Sequence, residues 1–120
     1  MNFNLIPAFL GLMLTCTSLS AQVVTDTITV AGDCEHCKER IEQAVDLPGV
    51  KYASWSAETQ KLIIEYKSNK ISIQQISDAL VAAGHDTQFK LTADDKYQSL
   101  PGCCHYERLS PEKSDTIKNQ

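Results

Sequence analysis

Thr29-Val30-Ala31-Gly32-Asp33-Cys34-Glu35-His36-Cys37-Lys38-Glu39-Arg40-Ile41 changes its period at its centre. Upstream, from Val24 to Ala31, residues alternate: Val24, Ile28 and Val30 share one side and Thr25, Thr27 and Thr29 the other, the pattern of a half-buried strand. Downstream, Cys37, Ile41, Ala44 and Val45 recur at helical spacing, with Lys38, Glu39, Glu42 and Gln43 on the opposite face. Gly32 ends the strand, and Leu47-Pro48-Gly49 stops the helix. Two thiols therefore stand at a strand-to-helix junction, Cys34 in the loop and Cys37 in the first helical turn.

Beyond the helix, Ala53, Trp55 and Ala57 fall on one face of a second strand. A polar turn at Glu58-Thr59-Gln60 joins it to a third, in which Leu62, Ile64 and Tyr66 face together, so the pair reads as a hairpin. Ser72-Ile73-Gln74-Gln75 has the form of a capping box, followed by a stripe of Ile73, Ile76, Leu80 and Ala83 that ends at Gly84. Thr87, Phe89 and Leu91 supply a short fourth strand. Strand, helix, strand, strand, helix, strand is the order of an α+β, ferredoxin-like sandwich: a four-stranded antiparallel sheet with two helices on one face.

The flanks differ from this centre. Phe3 to Leu19 is apolar and uncharged, and small residues follow through Ser20 and Ala21, so residues 1–21 are expected to be a signal peptide. Pro7 and Thr15-Cys16-Thr17-Ser18 leave too short an apolar run for a membrane anchor, and no stable membrane insertion is expected after processing. Residues 93–120 are polar and interrupted by Pro101, Gly102 and Pro111, and are expected to form an arm, not a further core element. That arm nevertheless carries Leu100-Pro101-Gly102-Cys103-Cys104-His105-Tyr106. The domain proper is placed at 22–92.

In all, 120 residues with 42% hydrophobic and 22% charged side chains suffice for one small core. A net charge of -4 and a single Trp give no footprint for nucleic acid. Cleavage after Ala21 would remove Cys16 and leave four thiols: Cys34, Cys37, Cys103 and Cys104. An even number in an oxidising compartment is compatible with disulfides, in three pairings.

Spacing favours another use. Two Cys separated by two residues at a helix start can turn both sulfurs to one point, and the unpaired N–H groups there favour thiolate. Thiolates select soft ions; two alone suit Cu(I) or Hg(II) better than Zn(II), which takes four ligands. His85, just past the second helix, lies at the same end of the sheet as Cys34 and is either a turn residue or a third, imidazole ligand. His36 is expected to point to solvent. Cys103, Cys104 and His105 read as further donors in preference to a disulfide between neighbours, which would be a strained ring. A thiol-disulfide redox role for the Cys34/Cys37 pair is the alternative. Against it, the loop lacks Trp-Cys-Gly-Pro-Cys, and no Pro lies between Pro48 and Pro101 to pack against the thiols.

The chain resembles the heavy-metal-associated domain family over about Val24 to Thr92. The resemblance rests on Thr29 to Ile41, on Leu47-Pro48-Gly49-Val50, on Lys61-Leu62-Ile63-Ile64-Glu65-Tyr66, and on Ile76 to Asp86. It implies the ferredoxin-like fold, metal held by Cys34 and Cys37, and delivery by thiolate exchange with a docked partner. Three departures stand out: Gly32-Asp33-Cys34 lacks the Met that steadies the metal loop in the family, His85 replaces a common Tyr or Phe, and Cys103-Cys104-His105 lies outside the family domain.

The expected function is that of an exported metal-binding protein, periplasmic if bacterial, and not an enzyme. It would be a Cu(I) chaperone or scavenger with metal ligands drawn from Cys34, Cys37, His85, Cys103, Cys104 and His105. Zn or Hg binding and sequestration is the alternative cargo reading. The expected partner is a metal-transporting or metal-accepting protein, such as a copper-transporting ATPase or an efflux component.

Overall fold

In a computed structural model of the chain, residues 22–110 are described, together with Gly11 in isolation. The expected signal peptide and the end of the arm, residues 111–120, lie outside the described residues. No helix among the described residues is long and apolar enough to cross a membrane.

The elements run β1 (Val23–Thr29), α1 (Glu35–Ala44), β2 (Val50–Ser56), β3 (Lys61–Lys67), α2 (Ile73–Ala82) and α3 (Asp94–Gln98), closing on a 3₁₀ turn at Gly102–Cys104. The sheet has the order β1-β3-β2 and is antiparallel throughout. Its register places Ile28 and Trp55 on either side of Leu62, and Asp26 and Ala53 on either side of Ile64. Because the strand period is two, this alignment sends Ile28, Trp55, Leu62, Ile64 and Tyr66 to one buried face. The helices supply the other half of the core: Cys37, Ile41 and Val45 from α1 and its end, Ile76, Leu80 and Val81 from α2.

Local chemistry fixes the ends. Ser72 Oγ accepts from Gln75 N while Gln75 Oε1 accepts from Ser72 N, the reciprocal capping box. Gly84 ends α2 at φ 99, a left-handed conformation that side chains resist.

Among the described residues the sheet has three strands, which corrects the expectation of four. Where the fourth was expected, Thr87 makes one antiparallel bridge to Val30 and the chain then turns away. The reason lies in side chains that compete for the backbone. Thr87 Oγ1 accepts from Phe89 N and Lys90 N, and Thr87 N donates to Lys90 O at 2.8 Å, so the segment closes on itself. The adjoining end of β1 is met by Gln88, whose Oε1 accepts from Thr29 N at 2.8 Å.

The segment after Thr92 was expected to stay out of the core, and it does not. Leu100, Cys104 and Tyr106 are buried in the same cluster as Ile28, Trp55 and Leu80. Leu100 packs beside Gly84, where an added Cβ would lie 3.0 Å from Leu100 Cδ2.

Candidate metal centre

The loop that carries the first thiol pair is held from four directions. Val30 N donates to Gln60 O at 3.0 Å, and Val30 O accepts from Trp55 Nε1 at 2.9 Å. Ala31 N donates to Asp86 O, and Ala31 O is bonded to His85 Nδ1 at 2.9 Å. Gly32 O accepts from Gln60 Nε2 at 2.9 Å, and the Trp55 ring lies against Gly32 itself. Trp55 and Gln60 thus provide the bracing that the absent Met of the loop left unassigned. Gln60 has φ 57, a costly conformation for a residue with a Cβ, and it spends that geometry on two bonds to the loop.

Cys34 is the N-cap of α1, in extended conformation at φ -143, and Cys37 sits one turn in. Their sulfurs are 3.8 Å apart. The 3₁₀ turn brings a third sulfur from the other end of the fold: the Sγ atoms of Cys34, Cys37 and Cys104 lie within 4.8 Å of one another. Three sulfurs around one ion at a metal–sulfur distance of about 2.3 Å stand about 4 Å apart, so small side-chain rotations suffice to close on an ion. All four described thiols are free; Cys37 and Cys104 are buried, Cys34 is partly exposed and Cys103 is exposed. Cys103 Sγ is 3.9 Å from Cys104 Sγ.

Cys104 is placed by contacts made among protein groups alone. Tyr106 OH accepts from Asp86 N at 3.0 Å and donates to Gly84 O at 2.7 Å, while Tyr97 OH donates to Tyr106 O. Two residues on, Arg108 spans the arm and the domain: its Nε and Nη2 donate to the Asp86 carboxylate at 2.8 and 3.1 Å, and Nη2 donates also to Thr92 O. The Asp86 side chain is fully buried, and Thr92 N and Leu109 N complete its shell. A buried carboxylate met by a guanidinium fork and two backbone donors is a strong, directional anchor.

The electrostatics separate the thiols. The Cys37 N–H, at the open start of α1, is the main influence holding Cys34 below the ordinary thiol pKa, although no side-chain hydrogen bond of regular length closes the cap. Burial pushes the Cys104 thiol up, with the neighbouring Cys37 adding to the effect. Cys103 is also raised, chiefly by the neighbouring Cys34. A soft cation, once present, reverses this logic by favouring thiolate at every ligand.

The histidines take other places. His85 is fully buried, with Nδ1 committed to Ala31 O and its ring stacked on Tyr106 at 5.7 Å. Its nitrogens are not among the ligand atoms gathered within 4.8 Å, and Nε2 has no hydrogen-bond partner among the described residues. Burial lowers its pKa and favours the neutral ring. His105 is exposed and lies 5.2 Å from the Tyr97 ring, outside the thiol cluster. His36 faces solvent. Of the six residues singled out in the sequence, the fold converges three sulfurs and sets Cys103 at their margin.

Sequence reasoning did not single out Trp55, Gln60, Asp86, Tyr106 and Arg108, which position the loop and the arm. The only local signal was Tyr106 at the end of an apolar interruption in a polar segment.

Residues 27–86 match the heavy-metal-associated domain. The chain belongs to the heavy-metal-associated domain family. The match ends before Cys104, so the third sulfur of the cluster comes from outside the family segment. A copper chaperone CopZ of Staphylococcus saprophyticus is 34% identical over 68 residues, covering 55% of this chain and all of the relative. A solved CopZ metallochaperone is 29% identical with a TM-score of 0.52, over 53% of this chain and 98% of its own. A solution structure of a Bacillus anthracis protein, at 24% identity and a TM-score of 0.54, covers 57% of this chain and 99% of its own, and shows the fold alone. The chain is thus a heavy-metal-associated domain resembling copper chaperones, with a Cys-rich cluster at its strand-to-helix loop.

Proposed function

We propose that this protein is an exported Cu(I)-binding protein that captures the ion or hands it to a metal-accepting partner, after removal of residues 1–21. Cys34, Cys37 and Cys104 are its ligands. The observation that carries the reading is the convergence of three sulfurs, from two segments distant in sequence, within 4.8 Å of one another. Their softness selects a soft ion, and a mutually close group of three sulfurs suits Cu(I) better than Zn(II), which takes four ligands. The resemblance to copper chaperones supports the same ion. Exchange of thiolate ligands with a metal transporter, such as a copper-transporting ATPase, is the delivery step proposed.

The test is competition titration of the reduced protein against a chromophoric Cu(I) chelator. Replacing Cys34 and Cys37 together by Ser is expected to abolish high-affinity binding, and Cys104→Ser to lower affinity by on the order of tenfold or more. Unchanged affinity in the double variant would overturn the reading. Turnover of insulin disulfides by the mature protein would favour the redox alternative instead.

A further inference from the structure

The two edges of the sheet are finished differently. On the β2 side, Trp55 N donates to Glu42 Oε1 at 3.2 Å and Trp55 O accepts from Lys38 Nζ at 3.0 Å, so α1 takes up outward backbone groups. The register also breaks between Val50 and Tyr52, with Lys51 at the irregularity. A bulge and charged side chains are means by which an edge is closed to other strands. On the β1 side, the segment expected to cover the edge makes one bridge at Thr87 and turns away.

Alternate residues of an antiparallel strand point both N–H and C=O to the same side. Along β1 the odd-numbered residues face outward: Ala31 N donates to Asp86 O, Thr29 N donates to Gln88 Oε1, and Thr29 O accepts from Gln88 N. Thr25 and Thr27 follow in the same direction, and among the described residues their backbone groups meet no partner there. Val23, Thr25 and Thr27 are exposed. The strand has no Lys, Arg or Pro to repel a neighbour, and its one charge, Asp26, accepts from Tyr66 OH at 2.6 Å.

We infer that the open β1 edge docks β1 of a second copy of this chain, antiparallel about a two-fold axis, with Thr25 opposite Thr25. The inference is independent of the metal-binding reading. Outward-facing residues must meet outward-facing ones, which leaves few registers. An axis at Thr27 needs the backbone of Thr29, which Gln88 occupies, and one at Asp26 sets two carboxylates opposite each other. An axis at Thr25 pairs Val23 with Thr27 and Val24 with Asp26 and opposes no like charges; one nearer Val23 leaves little strand to pair. The occupant follows from composition. Apart from Asp26, β1 consists of Val, Thr and Ile, the residues that favour strands. Residues 111–120 offer Pro111, Glu112, Lys113, Asp115, Lys118 and Asn119, types depleted in strands. Pairing joins the two sheets into one and leaves the two thiol loops, each just beyond Thr29, at opposite ends of the interface.

The experiment is sedimentation equilibrium of residues 22–120, which keep every element of the fold, with a chelator and a reductant present to exclude metal-linked and disulfide-linked dimers. A reversible dimer at about 0.1 mM is expected, as suits a small, weak interface. Thr25→Lys and Thr25→Glu each set like charges across the axis and are expected to weaken the dimer about fivefold, while an equimolar mixture of the two restores it. Independently of any variant, the Thr25 and Thr27 amides should gain hydrogen-exchange protection as concentration rises. A monomer at every concentration overturns the inference. So does a dimer indifferent to both substitutions or not recovered on mixing, since its contact would lie elsewhere. Amides protected equally at all concentrations in a monomer would also overturn it, assigning the edge to residues 111–120.

Discussion

Trp55 fills the space beside Gly32 so closely that a Cβ on Gly32 would lie 2.7 Å from Trp55 Cζ2 and 2.8 Å from Cη2. The indole has no freedom to yield, because it is buried and its Nε1 donates to Val30 O. The metal loop and the second strand are thereby locked to each other.

Gly32→Ala is therefore expected to destabilise the fold by about 1–3 kcal/mol, the range for overpacking a tight interior. It should weaken Cu(I) binding too, since the added methyl also meets Cys37 Cβ at 3.2 Å. Urea denaturation followed by Trp55 fluorescence, alongside competition titration, checks both; a neutral result in both would mean the loop moves freely.

Arg108 ties the arm to a carboxylate that meets no other cation among the described residues. Arg108→Ala leaves the buried Asp86 charge unpaired, a change that typically costs about 3–5 kcal/mol. The lower end is expected here because Thr92 N and Leu109 N still donate to Asp86. Arg108→Lys should restore only part of the loss, since a lysine cannot make the two-pronged contact. Chemical denaturation gives the stability, and faster alkylation of Cys104 would report that the arm has loosened.

The thiols should differ in reactivity in the metal-free reduced protein. Cys34, with its pKa lowered at the helix start and its side chain partly exposed, holds more thiolate at neutral pH than the raised, buried Cys104. Pulsed iodoacetamide labelling with peptide mass spectrometry is expected to modify Cys34 first and Cys104 last. Simultaneous labelling would show that the cluster is open in solution.

Alkaline stability should carry the signature of Tyr66. Burial, assisted by its hydrogen bond to Asp26 at 2.6 Å, raises this phenol from 10.0 to about 12. The folded state thus holds the proton more tightly than the unfolded chain. Its contribution is complete below the unfolded value and is lost as pH rises from about 10 through 12. Burial raises Tyr106 as well, so both phenols act in the same direction. Tyr66→Phe is expected to flatten the fall in stability between pH 9 and 12 measured by urea denaturation; an unaltered slope would place the effect elsewhere.

The three strands and two main helices were legible because each buries one face: Leu62, Ile64 and Tyr66 at period two, Ile76 and Leu80 at helical spacing. Thr87, Phe89 and Leu91 show the same alternation, yet here the Thr87 hydroxyl captures the amides of Phe89 and Lys90 and closes a turn. Alternation over so short a run cannot reveal which donor a side-chain oxygen will take. The thiol pair was legible from its spacing, and the arm's cysteines from their composition. The arm's docking was not, because Asp86 and Arg108 belong to no periodic pattern and meet only through the fold. His85 had the right position and the right chemistry for a ligand, but its Nδ1 is spent on Ala31.

Cys37 lies in the first helix and Cys104 near the end of the described chain. An ion bridging them would act as a reversible cross-link around a long loop, removing conformational freedom from the unfolded chain much as a disulfide does. Loaded and empty protein would then differ in lifetime as well as in cargo: a protease that waits for the chain to open would consume the empty form and spare the full one.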